Sequence, residues 1–273
     1  MTAFAALHHA EAPLLLPNAW DHASALALAR EGFRAVGTTS LGVAAAVGLS
    51  DGSSATRDDT LRLALLLGSR PFLLSVDAED GFSEDPDEVG EFARQLAAVG
   101  AVGINLEDGL GSAARHAEKI AAVKSAAPGL FVNARTDTYW LGRGRGRSSG
   151  GGGGGGVGGG VGEGDDTMSR LDAYQQAGAD AVFVPGLTEP RRIAELVARL
   201  DVPLNVLYAP TGPTVAHLAD LGVGRISLGS FLYRRALGAA LQAMAEIREG
   251  RTPGGRTPTY DDVQGLGDRP PSA

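Results

Sequence analysis

The chain has 273 residues, of which 44% are hydrophobic and 21% are charged, and it contains no cysteine. This composition is typical of a globular protein with one large core or two small ones. The absence of cysteine excludes disulfides, zinc–thiolate sites and thiol catalysis. A formal net charge of −8 argues against a nucleic-acid partner, because nucleic-acid-binding proteins rely on clustered Lys and Arg.

The sequence contains no feature that predicts a membrane partner or secretion. No apolar run approaches the ~20 residues that a membrane-spanning helix needs. The first residues lack the basic and apolar segments of a secretory signal. We therefore expect a cytoplasmic protein.

Apolar segments short enough to be buried strands alternate with segments that have helix start and stop signals. The predicted strands lie at 12–17, 35–40, 72–77, 101–106, 130–134, 181–185, 204–208 and 225–229. The predicted helices lie at 23–31, 57–67, 86–99, 113–126, 167–177, 189–200, 213–221 and 231–249. Eight such units predict an α/β fold, a (β/α)8 TIM-type barrel, with a doubly wound open sheet as the alternative.

The remaining segments define the expected domain organisation. Residues 1–250 are predicted to form a single barrel domain, with 1–11 as a short helix over its bottom and both His8 and His9 on the surface. The glycine-rich segment 142–164 is predicted to be a flexible insertion, because it has too little apolar surface to offset its ordering entropy. Residues 251–273 are predicted to be a C-terminal tail that wanders or packs on a neighbour.

Polar residues collect where the predicted strands end, which favours the barrel because barrel enzymes carry their chemistry there. Asp77, Glu79 and Asp80 follow the third predicted strand, and Glu107 follows the fourth. Three carboxylates from neighbouring strands suit Mg²⁺, a hard cation that takes oxygen ligands and keeps several waters. We predict Asp77, Glu79 and Glu107 as metal ligands, with Mn²⁺ as the alternative ion, and Asp80 as a structural residue of the turn.

Arg135 ends the fifth predicted strand beside these acids and indicates an anionic substrate, because a guanidinium binds a carboxylate through two parallel hydrogen bonds. The structural alternative is an Arg135 that only pairs with Glu107 or Asp137. Asp51 follows the second strand, in a dipeptide that also suits a plain turn. The other candidate site residues at strand ends are Trp20 and Ser40.

Six short motifs together resemble the isocitrate lyase/phosphoenolpyruvate mutase superfamily. They are T-T-S at 38–40, G-L-S-D at 48–51, D-A-E-D-G-F-S-E-D-P at 77–86, G-I-N-L-E-D at 103–108, N-A-R-T-D at 133–137 and A-G-A-D at 177–180. The resemblance covers about residues 12–250 and is strongest to the phosphonomutase-like subgroup. It implies a Mg²⁺-dependent enzyme that binds a small 2-oxo acid or dicarboxylate.

The resemblance also implies roles for single residues. Asp77, Glu79 and Glu107 would hold the metal directly or through water. Arg135 and Asp51 would be the catalytic residues, with Arg135 beside the substrate carboxylate and Asp51 near the reacting end. The substrate-binding residues would be Trp20, Ser40, Leu41, Gly42, Asp77 and Arg135. The expected assembly is a homo-oligomer, a tetramer whose last helix is swapped between subunits.

The sequence departs from the superfamily in the region of the lid. Lyases of the superfamily carry a Lys-x-Cys-Gly lid after the fourth strand, whereas this chain has no cysteine and only a short segment, 109–115, before the next helix. The sequence therefore does not decide which bond reacts: C–C, as in a lyase or decarboxylase, or P–C, as in a phosphonomutase. The alternative function is a non-catalytic or weakly catalytic paralogue that binds a 2-oxo acid.

Overall fold

The structure is a computed structural model that describes residues 1–141 and 161–267. Its strands are β1 Leu14–Leu16, β2 Asn18–Ala19, β3 Ala35–Thr38, β4 Leu73–Asp77, β5 Ala101–Glu107, β6 Phe131–Arg135, β7 Ala181–Val184, β8 Leu204–Leu207 and β9 Arg225–Ser227. Its helices are α1 Ala3–Leu7, α2 His22–Arg30, α3 Ser40–Ala46, α4 Arg57–Leu67, α5 Pro86–Ala98, α6 Ala113–Ala126, α7 Val161–Gln176, α8 Pro190–Arg199, α9 Val215–Asp220, α10 Phe231–Arg248 and α11 Tyr260–Gln264.

All strand pairs are parallel, and the strands follow one another around the sheet in chain order from β2 to β9. β1 then pairs with β9, so the two ends of the sheet meet in the first segment of the chain. Helices connect the strands on the outside. The predicted TIM-type barrel is confirmed, and each of the eight predicted strands is present. Within the described residues no helix is long and apolar enough to cross a membrane.

The first strand extends beyond the predicted 12–17 and is divided at Pro17 into β1 and β2, and this division is the seam of the barrel. Proline has no N–H to donate to a ladder, so β1 pairs with β9 before Pro17 and β2 pairs with β3 after it. Asn18 joins the two sides with its side chain. Its Oδ1 accepts hydrogen bonds from the amides of Leu228 and Gly229 at 3.0 and 2.8 Å, and its Nδ2 donates to the Thr38 carbonyl at 2.7 Å.

The bottom of the barrel is closed by α1. Phe4 is 1% exposed and stacks edge-on against Phe131. A side chain at Gly103 would meet the Phe4 ring at 2.7 Å, so the glycine makes room for it. The surface position predicted for His8 is wrong: the ring is 3% exposed, stacks on Phe131 at 4.2 Å and bonds the Phe4 carbonyl through Nδ1. His9 is exposed as predicted.

The barrel interior is unusually polar below the strand ends. TIM barrels usually fill this space with branched apolar residues. Here Asn105 accepts hydrogen bonds from Asn133 and from Arg225, at 2.8 and 3.1 Å. Arg225 is fully buried, and its Nε donates to Ser227 Oγ at 3.0 Å. These groups supply hydrogen bonds to Nε and Nη2 of the buried guanidinium, whereas its Nη1 has no partner among the described residues.

Three elements differ from the sequence expectations. Residues 40–46, predicted as a glycine-bearing loop, form helix α3. Helix α7 begins at Val161, six residues before the predicted start, and the predicted flexible insertion 142–164 otherwise lies outside the described residues. The predicted tail contains helix α11, and the Arg30 side chain of α2 donates a hydrogen bond to Gly265 just after it.

Candidate active site

A small cavity opens at the carboxyl ends of the barrel strands. It has a volume of about 90 Å³, which corresponds to roughly six water molecules at the smallest volume that holds one. Residues from every quarter of the barrel mouth line it: Asn18, Thr39, Ser40, Leu41, Asp51, Asp77, Asn105, Arg135, Trp140, Phe183, Pro185, Leu207, Tyr208, Ser227, Leu228, Gly229, Ser230 and Arg234. Five of the predicted site residues are in this set.

Arg135, the last residue of β6, is held between two carboxylates. Its Nη1 lies 2.6 Å from Glu107 Oε2, and its Nε lies 2.7 Å from Asp137 Oδ1. Glu107 is the direct register partner of Arg135 across the β5–β6 pair. The guanidinium carbon also lies 5.9 Å from the centre of the Phe183 ring. Two ion pairs and an aromatic ring therefore fix the one guanidinium that ends a strand at this cavity.

Asp77, the last residue of β4, accepts a hydrogen bond from the Ser40 amide through Oδ2, at 3.1 Å. Ser40 is the first residue of α3, so a carboxylate is favourable there. The Asp77 amide in turn donates to Thr38 Oγ1 at 2.8 Å. The Ser40 amide, which the resemblance assigns to a substrate carboxylate, is thus occupied by Asp77.

Glu79 does not share a direction with Asp77. Two residues two apart on an extended chain point to the same side, but Glu79 has φ +46° and lies beyond the end of the strand. Its carboxylate accepts from Thr56 Oγ1 at 2.6 Å and from the Ser54 amide at 3.2 Å. Asp80 closes the turn, accepting from the Phe82 amide and from Ser54 Oγ.

The carboxyl groups at the barrel mouth outnumber the guanidinium groups. Burial and the charges of neighbouring carboxylates raise the pKa values of several of these acids. Burial raises the pKa of Glu107 to about 8; Arg135 opposes the rise, and the charges of Asp77, Asp137 and Asp51 add to it. Burial likewise raises the pKa values of Asp77, Glu79 and Asp137. Like charges this close favour a bound cation or a shared proton.

The three predicted metal ligands each contact a different partner. Within the described residues, no group of three or more His, Asp or Glu side chains is arranged to enclose a metal ion. Glu107 is turned to Arg135 and Glu79 to Thr56, which leaves Asp77 as the acid of the three that lines the cavity. One or two direct carboxylates with several waters is the usual arrangement for Mg²⁺. The all-oxygen set therefore fits Mg²⁺ held mainly through water.

The remaining predicted residues fall into two groups. Leu41 and Asp51 line the cavity, and Asp51 is exposed on the loop after α3. Trp20 and Gly42 lie beside it and pack on each other: a Cβ on Gly42 would meet Trp20 Cβ at 2.6 Å. Trp20 also meets Tyr233 of α10 edge-on at 5.4 Å.

Asp108 is a functional candidate that sequence reasoning missed. Its Oδ1 accepts from the amides of Leu110 and Asp137, and its Oδ2 accepts from Tyr174 Oη at 2.7 Å and Arg170 Nη1 at 3.0 Å. It thereby connects Asp137, the partner of Arg135, to helix α7. Its position directly after Glu107 was a local signal. Its side-chain partners Arg170 and Tyr174, however, lie 62 and 66 residues further along the chain.

The connection between β5 and α6 is short. Ser112 caps α6, its Oγ accepting from the Arg115 amide, so residues 108–112 form the whole link. Two aromatic side chains that the sequence analysis did not identify, Trp140 and Tyr208, line the cavity. Trp140 is 50% exposed at the mouth, and Tyr208 packs edge-on against Phe231 of α10.

The sequence model of the phosphoenolpyruvate phosphomutase family matches residues 4–248, nine-tenths of the chain. The chain belongs to the phosphoenolpyruvate phosphomutase family. It is an enzyme of the phosphoenolpyruvate mutase/isocitrate lyase superfamily, as the motifs predicted. An uncharacterized protein of Mycobacterium tuberculosis is 42% identical over 248 residues, which are 89% of this chain and 88% of that protein.

Two solved structures illustrate the shared fold. A protein of Burkholderia cenocepacia J2315, provisionally described as a lyase/mutase, is 35% identical with a TM-score of 0.81, covering 97% of this chain and 95% of its own. Phosphonopyruvate hydrolase in complex with oxalate and Mg²⁺ has a TM-score of 0.78 at 22% identity, covering 97% and 93%. At that identity the second likeness shows the fold alone.

Proposed function

We propose that this phosphomutase-family protein binds a small 2-oxo acid or dicarboxylate at the barrel mouth and makes or breaks a C–C or P–C bond, with Mg²⁺ as cofactor. The observation that carries the proposal is Arg135, fixed between Glu107 and Asp137 at the wall of a cavity that Asp77 also lines. A buried cation beside an excess of acids provides for an anionic ligand and a divalent cation together.

Each residue has a part in the proposed reaction. Arg135 binds and orients the substrate carboxylate, and its two ion pairs hold the guanidinium in place before the ligand arrives. Asp77, Glu79 and Glu107 would hold the metal, directly or through water. Bound Mg²⁺ would supply Lewis-acid polarisation of the 2-oxo group, which favours an enolate when the bond at C3 breaks. Asp51 faces the reacting end of the substrate.

Oxalate is a suitable probe because it is the ligand of the Mg²⁺-containing phosphonopyruvate hydrolase structure. We expect calorimetry to detect oxalate binding that requires Mg²⁺. Arg135→Ala should weaken it by about 10- to 100-fold, the loss of a charged hydrogen-bonded contact of ~1.5–3 kcal/mol. Arg62→Ala, which removes an exposed guanidinium on α4, is the control. Binding that ignores both Mg²⁺ and Arg135 would rule the proposal out.

A second candidate function follows from the short link between β5 and α6. A superfamily lid excludes water during the reaction, and residues 108–112 are too few to cover the mouth. A paralogue that binds a 2-oxo acid with little or no turnover fits this observation. Turnover of oxaloacetate or phosphonopyruvate that disappears in Asp77→Ala would exclude it, whereas oxalate binding without turnover would favour it.

We also propose a homo-oligomer, a tetramer with α10 swapped between paired subunits. The support is that α10, 18 residues long, contains no buried residue. Leu237, Leu241, Met244 and Ile247 are 51–63% exposed along it. Apolar side chains at helical spacing are typical of a surface that another chain covers.

A further inference from the structure

The cavity contains a second cation besides Arg135. Arg234 lies in the first turn of α10, four residues after Ser230, and its side chain lines the cavity. Arg135 ends β6, whereas α10 follows β9, so three strand positions around the barrel separate the two residues. A ligand with an anionic group at each end would pair with both.

The two cations differ in how their charge is compensated. Arg135 already pairs with Glu107 and Asp137. Among the described ion pairs, none includes Arg234. The hydrogen bond that its guanidinium donates runs from Nε to Ser230 Oγ, at 3.2 Å, which leaves the two Nη groups for a ligand. A guanidinium with both Nη groups available suits a carboxylate or phosphonate.

The helix turn that contains Arg234 offers it no carboxylate partner. The first turn of α10 contains no acidic residue, and its N-cap, Ser230, makes no side-chain capping bond. Arg235 follows directly. Cations at a helix N-terminus oppose the helix dipole, and an anion there is favourable. The chain itself places no carboxylate at this turn.

The wall between the two cations contains apolar side chains beside the polar Tyr208 and Ser227. Phe183 of β7, Leu207 of β8 and Leu228 after β9 line the cavity between Arg135 and Arg234 in strand order. Apolar side chains from three successive strands therefore lie between the two cations. This pattern matches a short carbon chain with an anionic group at each end.

We propose that Arg234 is a specificity-determining residue that binds the distal anionic group of the substrate, a carboxylate or a phosphonate carried on C3. The inference rests on the proposed function, in which Arg135 binds the oxo-acid end. It narrows the substrate class from 2-oxo acids in general to those with a second anion, and it assigns selection against pyruvate-like monocarboxylates to α10.

The test uses ligands that share one end and differ at the other. Pyruvate and oxalate serve as short ligands, and oxaloacetate and phosphonopyruvate carry the distal carboxylate and phosphonate. Each is titrated by calorimetry in Mg²⁺ buffer into the full-length wild-type protein, Arg234→Ala, Arg234→Lys and the adjacent Arg235→Ala. Arg235 is equally exposed and does not line the cavity, so it is the matched control. Where turnover occurs, KM and kcat are recorded separately.

We expect Arg234→Ala to weaken oxaloacetate or phosphonopyruvate by about 10- to 100-fold and to leave pyruvate and oxalate within about twofold. Arg234→Lys should restore part of the loss, and Arg235→Ala should change nothing. The long ligand that loses affinity, oxaloacetate or phosphonopyruvate, identifies the distal group as a carboxylate or a phosphonate. An equal loss for short and long ligands, or no loss for the long ones, overturns the inference. Mg²⁺-dependent binding of oxalate by the wild-type protein then still supports the proposed function. If wild-type protein binds none of the four, both fail.

Discussion

Arg135 and Glu107 are paired twice, as register partners across β5 and β6 and through a side-chain ion pair of 2.6 Å. Each side chain is 16% exposed. The charges of Asp77 and Asp137 also act on Arg135, so this guanidinium compensates several carboxylates. Removing it leaves buried carboxylates uncompensated, which costs more than removing one of the acids.

This asymmetry gives the first prediction. Arg135→Ala should lower the free energy of unfolding by about 3–5 kcal/mol. Glu107→Gln should cost much less, because Arg135 keeps Asp137 as a partner and no buried charge is left uncompensated. In the double variant the loss should fall short of the sum by at least ~1 kcal/mol. Urea unfolding of the four proteins measures the cycle, and additive losses would contradict the coupling.

The second prediction concerns His8. Burial, with the charge of Arg225 adding, lowers the pKa of His8 to about 3, whereas an unfolded histidine titrates near 6.5. Below pH 6.5 the unfolded chain therefore binds a proton that the folded chain does not. Stability should fall with decreasing pH through this window by up to about 1.4 kcal/mol per pH unit.

The free energy of unfolding of His8→Phe, measured at pH 7, 6 and 5, tests the assignment. Its dependence on pH should be smaller than that of the wild type by the contribution of about one bound proton. His9→Gln, at an exposed neighbouring position, should keep the wild-type slope. The same slope in all three proteins would mean that His8 is protonated in the folded state.

The third prediction concerns the barrel seam. Asn18→Ala removes the partners of two amides and one carbonyl at once. We expect a loss of about 3 kcal/mol, since each unsatisfied buried group costs ~1–3 kcal/mol and some will find water. Amide hydrogen exchange gives the local measurement: Leu228 and Gly229 should exchange faster, while Ile226, whose amide lies in the strand ladder, should not. Uniform acceleration would indicate global destabilisation instead.

The fourth prediction concerns the support behind Arg135. Tyr174→Phe deletes the hydroxyl that donates to Asp108 at 2.7 Å. A hydrogen bond to a charged group contributes ~1.5–3 kcal/mol, and thermal unfolding should show a loss of that size. Because Asp108 also orients Asp137, oxalate affinity should fall as well. Tyr260→Phe, 81% exposed on α11, should alter neither quantity.

The fifth prediction tests the oligomer. Leu241→Glu places a charge in the exposed apolar stripe of α10, where the side chain is 63% exposed. If another chain covers that stripe, light scattering after size exclusion should show a smaller assembly. Leu65→Glu makes the same change at a 62% exposed position on α4 and should leave the assembly unchanged. An unaltered mass in Leu241→Glu would exclude this stripe as the interface.

The barrel was predictable because its strands are apolar runs that end in polar residues, and both properties are local. The errors have non-local causes. Gly42 suggested a loop, but it is the place where α3 packs against Trp20. His8 is polar, yet it stacks on Phe131, 123 positions along the chain. No pattern within a few residues contains such partners.

The candidate site divides in the same way. Asp77, Arg135 and Ser40 could be predicted, since each ends or follows a strand, and the structure brings them to one cavity. The orientation of Glu79 could not, because its left-handed backbone conformation is set by the turn. Arg234 was missed since it lies on a helix, and only the closure of the barrel brings α10 to the mouth.

The seam at Asn18 imposes an order on the making of the protein. Its side chain contacts amides 210 and 211 residues further along the chain, so a ribosome must deliver almost the whole sequence before the barrel can close. Arg135 and Asp77 emerge early, but Gly229 and Arg234, which complete the cavity, emerge near the end. A nascent or truncated chain that lacks β9 therefore has the acids of the site without the pocket, and ligand binding reports on completed synthesis.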